Sequence, residues 1–250
     1  MQIQVVKAQQ LRGRLRPHFG DGAMYSEDEI LRLARRAYET GDAGFEIRAG
    51  RSALLVIDMQ DEFVRPGWTT SWVPEATRRV PAIAALIRTA RSSRVPVIYT
   101  IFDNTHLGLD RPAAGFLMPN RYAHIRDPGE ATWFVNSRVW HELEPAAEDV
   151  VIRKPSYGAF CDTPLDTILR NLKRDTIIIC GTLTNYCCGT TARQGYERGY
   201  FVVFGSDVTA TDEPGQHEAE LRVLRRGFAR VLTSREIITA LQGTGEVQSA

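Results

Sequence analysis

Long apolar runs are missing from this 250-residue sequence, and so is an excess of either charge. The longest runs, such as Ala53 to Ile57 and Thr176 to Cys180, fall far short of the ~20 residues that a membrane-spanning helix needs. Lys plus Arg number 31 against 30 Asp plus Glu. No overall field therefore exists to hold a nucleic acid or an anionic membrane, and a small uncharged or zwitterionic ligand fits the balance better. Only four cysteines occur, without framework spacing, and no N-terminal apolar stretch has signal-peptide length. These features point to free thiols in a reducing, cytoplasmic setting. The five histidines (His18, His106, His124, His141 and His217) are scattered, with no pair at helical or finger-like spacing. Neither metal nor cofactor is expected.

What is present divides at about residue 50. Residues 1–50 are rich in Arg and Gln and predict one helix, from about Ser26 to Thr40. Ser26 with Glu29 forms a capping box, Gly41 provides a stop, and Leu31, Leu33, Ala34 and Ala37 make a partial apolar stripe. We read 1–50 as a helical arm and 51–250 as the main domain. From residue 51, short continuous apolar runs alternate with amphipathic segments, as expected of a parallel sheet covered on both faces. The runs are Ala53 to Asp58, Pro96 to Thr100, Val150 to Arg153, Thr176 to Cys180, Tyr200 to Phe204 and a weaker Ala229 to Leu232. Helical spacing recurs in Val80, Ile83, Ala84 and Ile87, in Leu165, Ile168 and Leu169, and in Leu221, Leu224 and Phe228. The expected fold is α/β: a Rossmann-like, doubly wound, mostly parallel sheet of about six strands, with chemistry at the strands' carboxyl ends. The aperiodic stretch from Phe102 to Arg138 reads as a lid or binding loop.

Three polar residues stand at or just past predicted strand ends. Asp58 ends Leu-Leu-Val-Ile-Asp, Lys154 follows Val-Val-Ile-Arg, and Cys187 lies seven residues beyond Cys180. Singly, each has a plain structural explanation: a turn former, a solvated lysine, a small buried thiol. Together they supply an acid/base, a cation and a nucleophile. A cysteine at the start of a helix, beside a positive charge, is expected to be held as thiolate, with the first-turn amides free to hold an oxyanion. Cys188 points about 100° away from its neighbour on such a helix and cannot share the pocket.

The surrounding segments carry a family resemblance. Val56-Ile57-Asp58-Met59-Gln60-Asp61-Glu62-Phe63, Lys154-Pro155-Ser156-Tyr157-Gly158-Ala159-Phe160 and Gly181-Thr182-Leu183-Thr184-Asn185-Tyr186-Cys187-Cys188 resemble, in order and spacing, the signature blocks of isochorismatase-like cysteine hydrolases. The resemblance covers about residues 50–241, His217 included. It implies that Asp58 is the acid/base, Lys154 the cation and Cys187 the nucleophile. It also implies a cis peptide between Thr182 and Leu183 that turns the Leu183 and Cys187 amides toward the oxyanion. By the same resemblance the reaction is hydrolysis of a small amide, carbamoyl or ureido group through a thioester, as in biuret, N-carbamoylsarcosine and ureidoacrylate hydrolases. Vinyl-ether hydrolysis of the isochorismatase type is the alternative, and a non-catalytic binding protein on the same fold a third. The metal ligands of nicotinamidases, expected just after the second strand, are missing from Tyr99-Thr100-Ile101-Phe102-Asp103-Asn104-Thr105-His106.

Substrate contacts are expected from Phe63 and Trp68 after the first strand, Asn120 and Arg121 in the long loop, and Tyr157 and Phe160 beside the lysine. An Arg121 facing the pocket would favour a carboxylate-bearing substrate. A helix as short as that of the arm is marginal alone, and relatives of this kind are commonly dimers or tetramers, so a homo-oligomer is expected.

Overall fold

Six continuous apolar runs fold as six parallel strands, described here in a computed structural model for residues 24–41, 43–103, 106, 109 and 134–243. They are β1 (Ser52–Ile57), β2 (Val97–Phe102), β3 (Val150–Lys154), β4 (Thr176–Thr182), β5 (Phe201–Ala210) and β6 (Arg230–Leu232), in the order β3-β2-β1-β4-β5-β6. Both β1 and β4 are buried along their whole length, which is why they read as unbroken Leu, Ile and Val rather than as an alternation.

The helices are α1 (Glu27–Thr40), α2 (Asp61–Val64), α3 (Pro74–Ser92), α4 (Leu165–Asn171), α5 (Gly189–Glu197), α6 (Pro214–Gly227) and α7 (Ser234–Gly243). One core layer joins Ile83, Leu86 and Ile87 of α3 and Ile237 and Leu241 of α7 to Leu54, Val56 and Ile178 of the sheet. The other joins Leu165 and Leu169 of α4, Ala192 of α5, and Leu221 and Leu224 of α6 to Leu55, Ile57 and Ile179. The doubly wound α/β arrangement is thus as expected. The strand order reverses between β1 and β4, and the crevice beyond their carboxyl ends is where such sheets place ligands.

The chain divides into two units, residues 1–37 and 38–250. Within α1 the expected capping box is formed: the Ser26 amide donates to Glu29 Oε2 at 3.0 Å and the Glu29 amide to Ser26 Oγ at 3.3 Å. Leu31 and Leu33 of its stripe are exposed. Ile47 and Ala49 are buried in the core of the main unit, and Phe45 packs on Phe201 at 5.0 Å.

β5 runs six residues past the predicted Tyr200 to Phe204. Its pairing with β4 jumps from Ile179↔Phe204 to Gly181↔Thr209, so Gly205 to Val208 bulge out of register and Gly-Ser-Asp, which reads as a turn, is carried inside a strand. No described helix is long and apolar enough to cross a membrane.

Candidate active site

Asp58 leaves β1 in the left-handed region (φ 49°), an uncommon conformation that Asp tolerates better than most residues. On the neighbouring strand β4, Gly181 (φ 120°), paired with Ile57, has no room for a side chain: a Cβ there would collide with the Ile57 carbonyl. The carboxylate is fully buried. The Thr100 hydroxyl of β2 donates to Oδ1 at 2.7 Å, and Oδ2 lies 2.8 Å from Lys154 Nζ. Lys154, at the end of β3 and equally buried, donates to the Ser156 carbonyl at 2.8 Å and lies 5.1 Å from the Phe102 ring centre. Burial alone would lower the Lys154 pKa, but the charges of Asp58 and Cys187 outweigh it and raise the value. The lysine is an ammonium.

Cys187 is buried and interacts with both charged groups. The expected cis peptide between Thr182 and Leu183 is present. The start of the helix differs from expectation: Thr184–Cys188 form a π-helical turn that runs into α5, so Cys187 lies inside a helical turn rather than at its first residue. Its titration differs as well. Burial, reinforced by Asp58, pushes the thiol up to about 12 against the opposing pull of Lys154. Desolvation thus opposes the thiolate expected from a helix start beside a lysine. Cys188 and Cys180 are buried too, with thiols raised chiefly by burial.

The turn that carries Cys187 is tied down by polar bonds. The Thr191 hydroxyl donates to the Cys187 carbonyl at 2.7 Å and accepts from the Ala159 amide at 2.9 Å, joining the cysteine to the segment after Lys154. Thr211 donates to Asn185 Oδ1 at 2.7 Å. Glu220 of α6 pairs with Arg193 of α5 (3.0 Å for one of two contacts) and lies where a Cβ on Gly189 would be.

Aromatic rings border the lysine side. Phe102 meets Phe134 edge-on at 5.4 Å and Tyr157 face-on at 6.3 Å, Tyr157 meets Tyr186 at 5.4 Å, and Phe63 meets Phe134 at 5.3 Å. Of the residues predicted to contact substrate, Phe63 and Tyr157 belong to this wall. Trp68 is exposed beneath the Arg65 guanidinium. The Phe160 ring is buried against Tyr200 and Arg198, so it packs behind α5. Asn120 and Arg121 lie outside the described residues. Sequence reasoning missed Thr100, Phe102, Phe134 and Tyr186; strand alternation places Thr100 and Phe102 on one face and was the available signal.

Gln60 and Glu62 fasten the ends of the long segment. Gln60 bonds both the amide (2.8 Å) and the carbonyl (2.9 Å) of Phe102. The buried Glu62 carboxylate accepts from the Gln60 amide group (2.9 Å), the Phe134 amide (3.1 Å) and the Ser137 hydroxyl. Asp103, just past β2, is ion-paired with Arg153. Among the described residues no three His, Cys, Asp or Glu side chains converge as a metal would require. A separate cavity of about 630 Å³, lined by Asp61, Arg65, Arg138, Trp140, His141 and Arg153 among others, does not include the three candidate catalytic residues.

The sequence profile of the isochorismatase domain matches residues 52–236. The chain belongs to the isochorismatase family. Its relatives include Nicotinamidase 3 of Arabidopsis thaliana, 37% identical over 197 residues covering 77% of this chain and 89% of the relative. A ureidoacrylate amidohydrolase of Methylobacterium radiotolerans is 29% identical over 194 residues, covering 71% and 74%. Among solved structures, a cysteine hydrolase from Pseudomonas syringae pv. phaseolicola is similar at a TM-score of 0.71 with 31% identity, covering 80% of this chain and 96% of that one. This isochorismatase-family protein is a hydrolase.

Proposed function

We propose that the protein is a cysteine-dependent amidohydrolase that cleaves a C–N bond in a small amide, carbamoyl or ureido substrate through a thioester. The observation that carries this reading is the fully buried Asp58–Lys154 ion pair with Cys187 beside both. A buried ion pair is a poor source of stability, and strongly perturbed groups gathered at a strand-end crevice mark functional sites.

Starting from the neutral thiol, the Sγ proton passes to Asp58 as sulfur attacks the carbonyl carbon. The Leu183 and Cys187 amides receive the oxyanion. Asp58 then hands the proton to the departing nitrogen, the C–N bond breaks, and a thioester with free ammonia or amine results. Asp58 next takes a proton from water, which attacks the thioester; the proton returns to sulfur as the acid leaves. Lys154 balances whichever of Asp58 and Cys187 is charged. The rings of Phe63, Tyr157, Phe102, Phe134 and Tyr186 wall the substrate side, and this also favours a flat carboxamide as a second class. Trp68, Asn120 and Arg121 complete the assignment, Arg121 as the clamp for any substrate carboxylate. The four unpaired cysteines accord with a cytoplasmic protein, and the same reading makes it a homo-oligomer.

The test is a panel of biuret, N-carbamoyl amino acids, ureidoacrylate, nicotinamide and isochorismate, followed by ammonia release and, for the last, vinyl-ether cleavage. Turnover of an amide or ureide that iodoacetamide eliminates and prolonged chelation leaves intact is expected. Cleavage of isochorismate alone, or loss on chelation with recovery on adding zinc or iron, would overturn the reading.

A further inference from the structure

His217 of α6 sits behind the nucleophile turn and touches two groups that fix its chemical state. Its Nε2 lies 3.0 Å from the Ser206 carbonyl, which can only accept, so Nε2 carries the hydrogen. Its Nδ1 lies 2.8 Å from Thr184 Oγ1. With Nε2 protonated, the neutral ring offers a lone pair at Nδ1, and the Thr184 hydroxyl is the donor. The Ser206 carbonyl lies in the out-of-register stretch of β5, opposite no residue of β4. Burial holds the imidazole below its usual pKa, which keeps the ring neutral.

Thr184 is fully buried and opens the π-helical turn. It directly follows Leu183, and Cys187 lies three residues on. The turn itself, Thr-Asn-Tyr-Cys-Cys, carries no charged residue. Other bonds hold it from outside, the Thr211 hydroxyl on Asn185 and the Thr191 hydroxyl on the Cys187 carbonyl. His217 joins three elements, α6, the β5 bulge and the first residue of the turn.

We infer that His217 is a positioning residue for the nucleophile: through the Thr184 hydroxyl it holds the turn that sets Cys187 and the adjacent amides. This rests on the proposed role of Cys187. Displacing that turn by about an ångström is the kind of error that costs up to ~100-fold in rate, with little effect on substrate capture.

The experiment compares kcat, KM and melting temperature for His217→Asn, His217→Gln, His217→Ala and Thr184→Val, with Cys187→Ser as control, on the substrate that the panel selects. An asparagine amide oxygen can take the place of Nδ1 toward Thr184, whereas a glutamine amide nitrogen reproduces only Nε2 toward Ser206. We expect His217→Asn to keep most of kcat, and His217→Gln, His217→Ala and Thr184→Val to lose roughly 10- to 100-fold in kcat at nearly unchanged KM. Equal kcat in the Asn and Gln variants, or kcat that simply follows melting temperature, would overturn the inference. If Cys187→Ser turned over normally, the nucleophile assignment itself would fail. An inactive Cys187→Ser beside fully active His217 and Thr184 variants would remove the positioning role alone.

Discussion

The cysteine side and the lysine side of the site are built from different materials. Around Cys187 the backbone is fastened by directional polar bonds, Thr184–His217, Asn185–Thr211, Thr191–Cys187 and Arg193–Glu220. Around Lys154 the boundary is a run of aromatic rings, Phe63, Phe134, Phe102, Tyr157 and Tyr186. Hydrogen bonds specify position to fractions of an ångström, whereas ring contacts of about 0.5–1.5 kcal/mol each tolerate several geometries. The cysteine half is held by directional bonds, the lysine half by more tolerant ring contacts.

The contrast is sharpest at the reacting group. Cys187→Ser is expected to lower kcat at least about a thousandfold, as loss of a nucleophile does elsewhere, while Cys188→Ser keeps most of the activity; equal losses would deprive the register argument of its support. Asp58→Asn should fall nearly as far while remaining folded, since it removes the proton carrier and almost no volume; near-normal rates would refute the acid/base role.

Lys154→Met should destabilise the fold by about 3–5 kcal/mol, because it leaves a buried carboxylate without its counter-charge; chemical denaturation measures this. For the thiol, a folded pKa pushed up to about 12 means that its contribution to stability is complete below the ordinary thiol range and declines as pH rises through that range toward the folded value. Alkylation of Cys187 by iodoacetamide should keep accelerating above about pH 9 instead of levelling near the ordinary thiol pKa of ~8.5. A plateau near 8.5 would mean that Lys154, not burial, controls the sulfur.

On the aromatic side smaller effects are expected. Tyr157→Ala should raise KM roughly two- to tenfold with kcat nearly kept, in line with an aromatic contact of about 0.5–1.5 kcal/mol. A large kcat loss would show that the wall, too, positions the chemistry.

The sequence made the strands legible because they are buried on both faces, and it made Asp58 and Lys154 legible because each closes or directly follows such a run; Cys187, seven residues past Cys180, was legible from the block around it. It did not disclose the long β5, since Gly205-Ser206-Asp207 carries the composition of a turn and only pairing with β4 keeps it extended. Phe160 reads as a pocket residue from its place beside Tyr157, yet the two rings point in different directions, which composition cannot convey. Phe134 could not be found because its neighbours on the wall, Phe63 and Phe102, come from α2 and β2, distant in sequence. The upward pull on the Cys187 thiol was hidden for a related reason: desolvation depends on how completely a group is enclosed, and no local motif reports that.

The Gln60–Glu62 pair makes the segment between Phe102 and Phe134 an exchangeable module. One short turn grips both its entrance and its exit, through main-chain atoms of Phe102 and Phe134, so the grip does not depend on which side chains lie between. Loop closure adds only about 0.6 kcal/mol for each doubling of length. Segments of different length and composition could therefore be transplanted between these two fixed points without disturbing Asp58, Lys154 or Cys187, and substrate preference could diverge while the reacting groups stayed where they are.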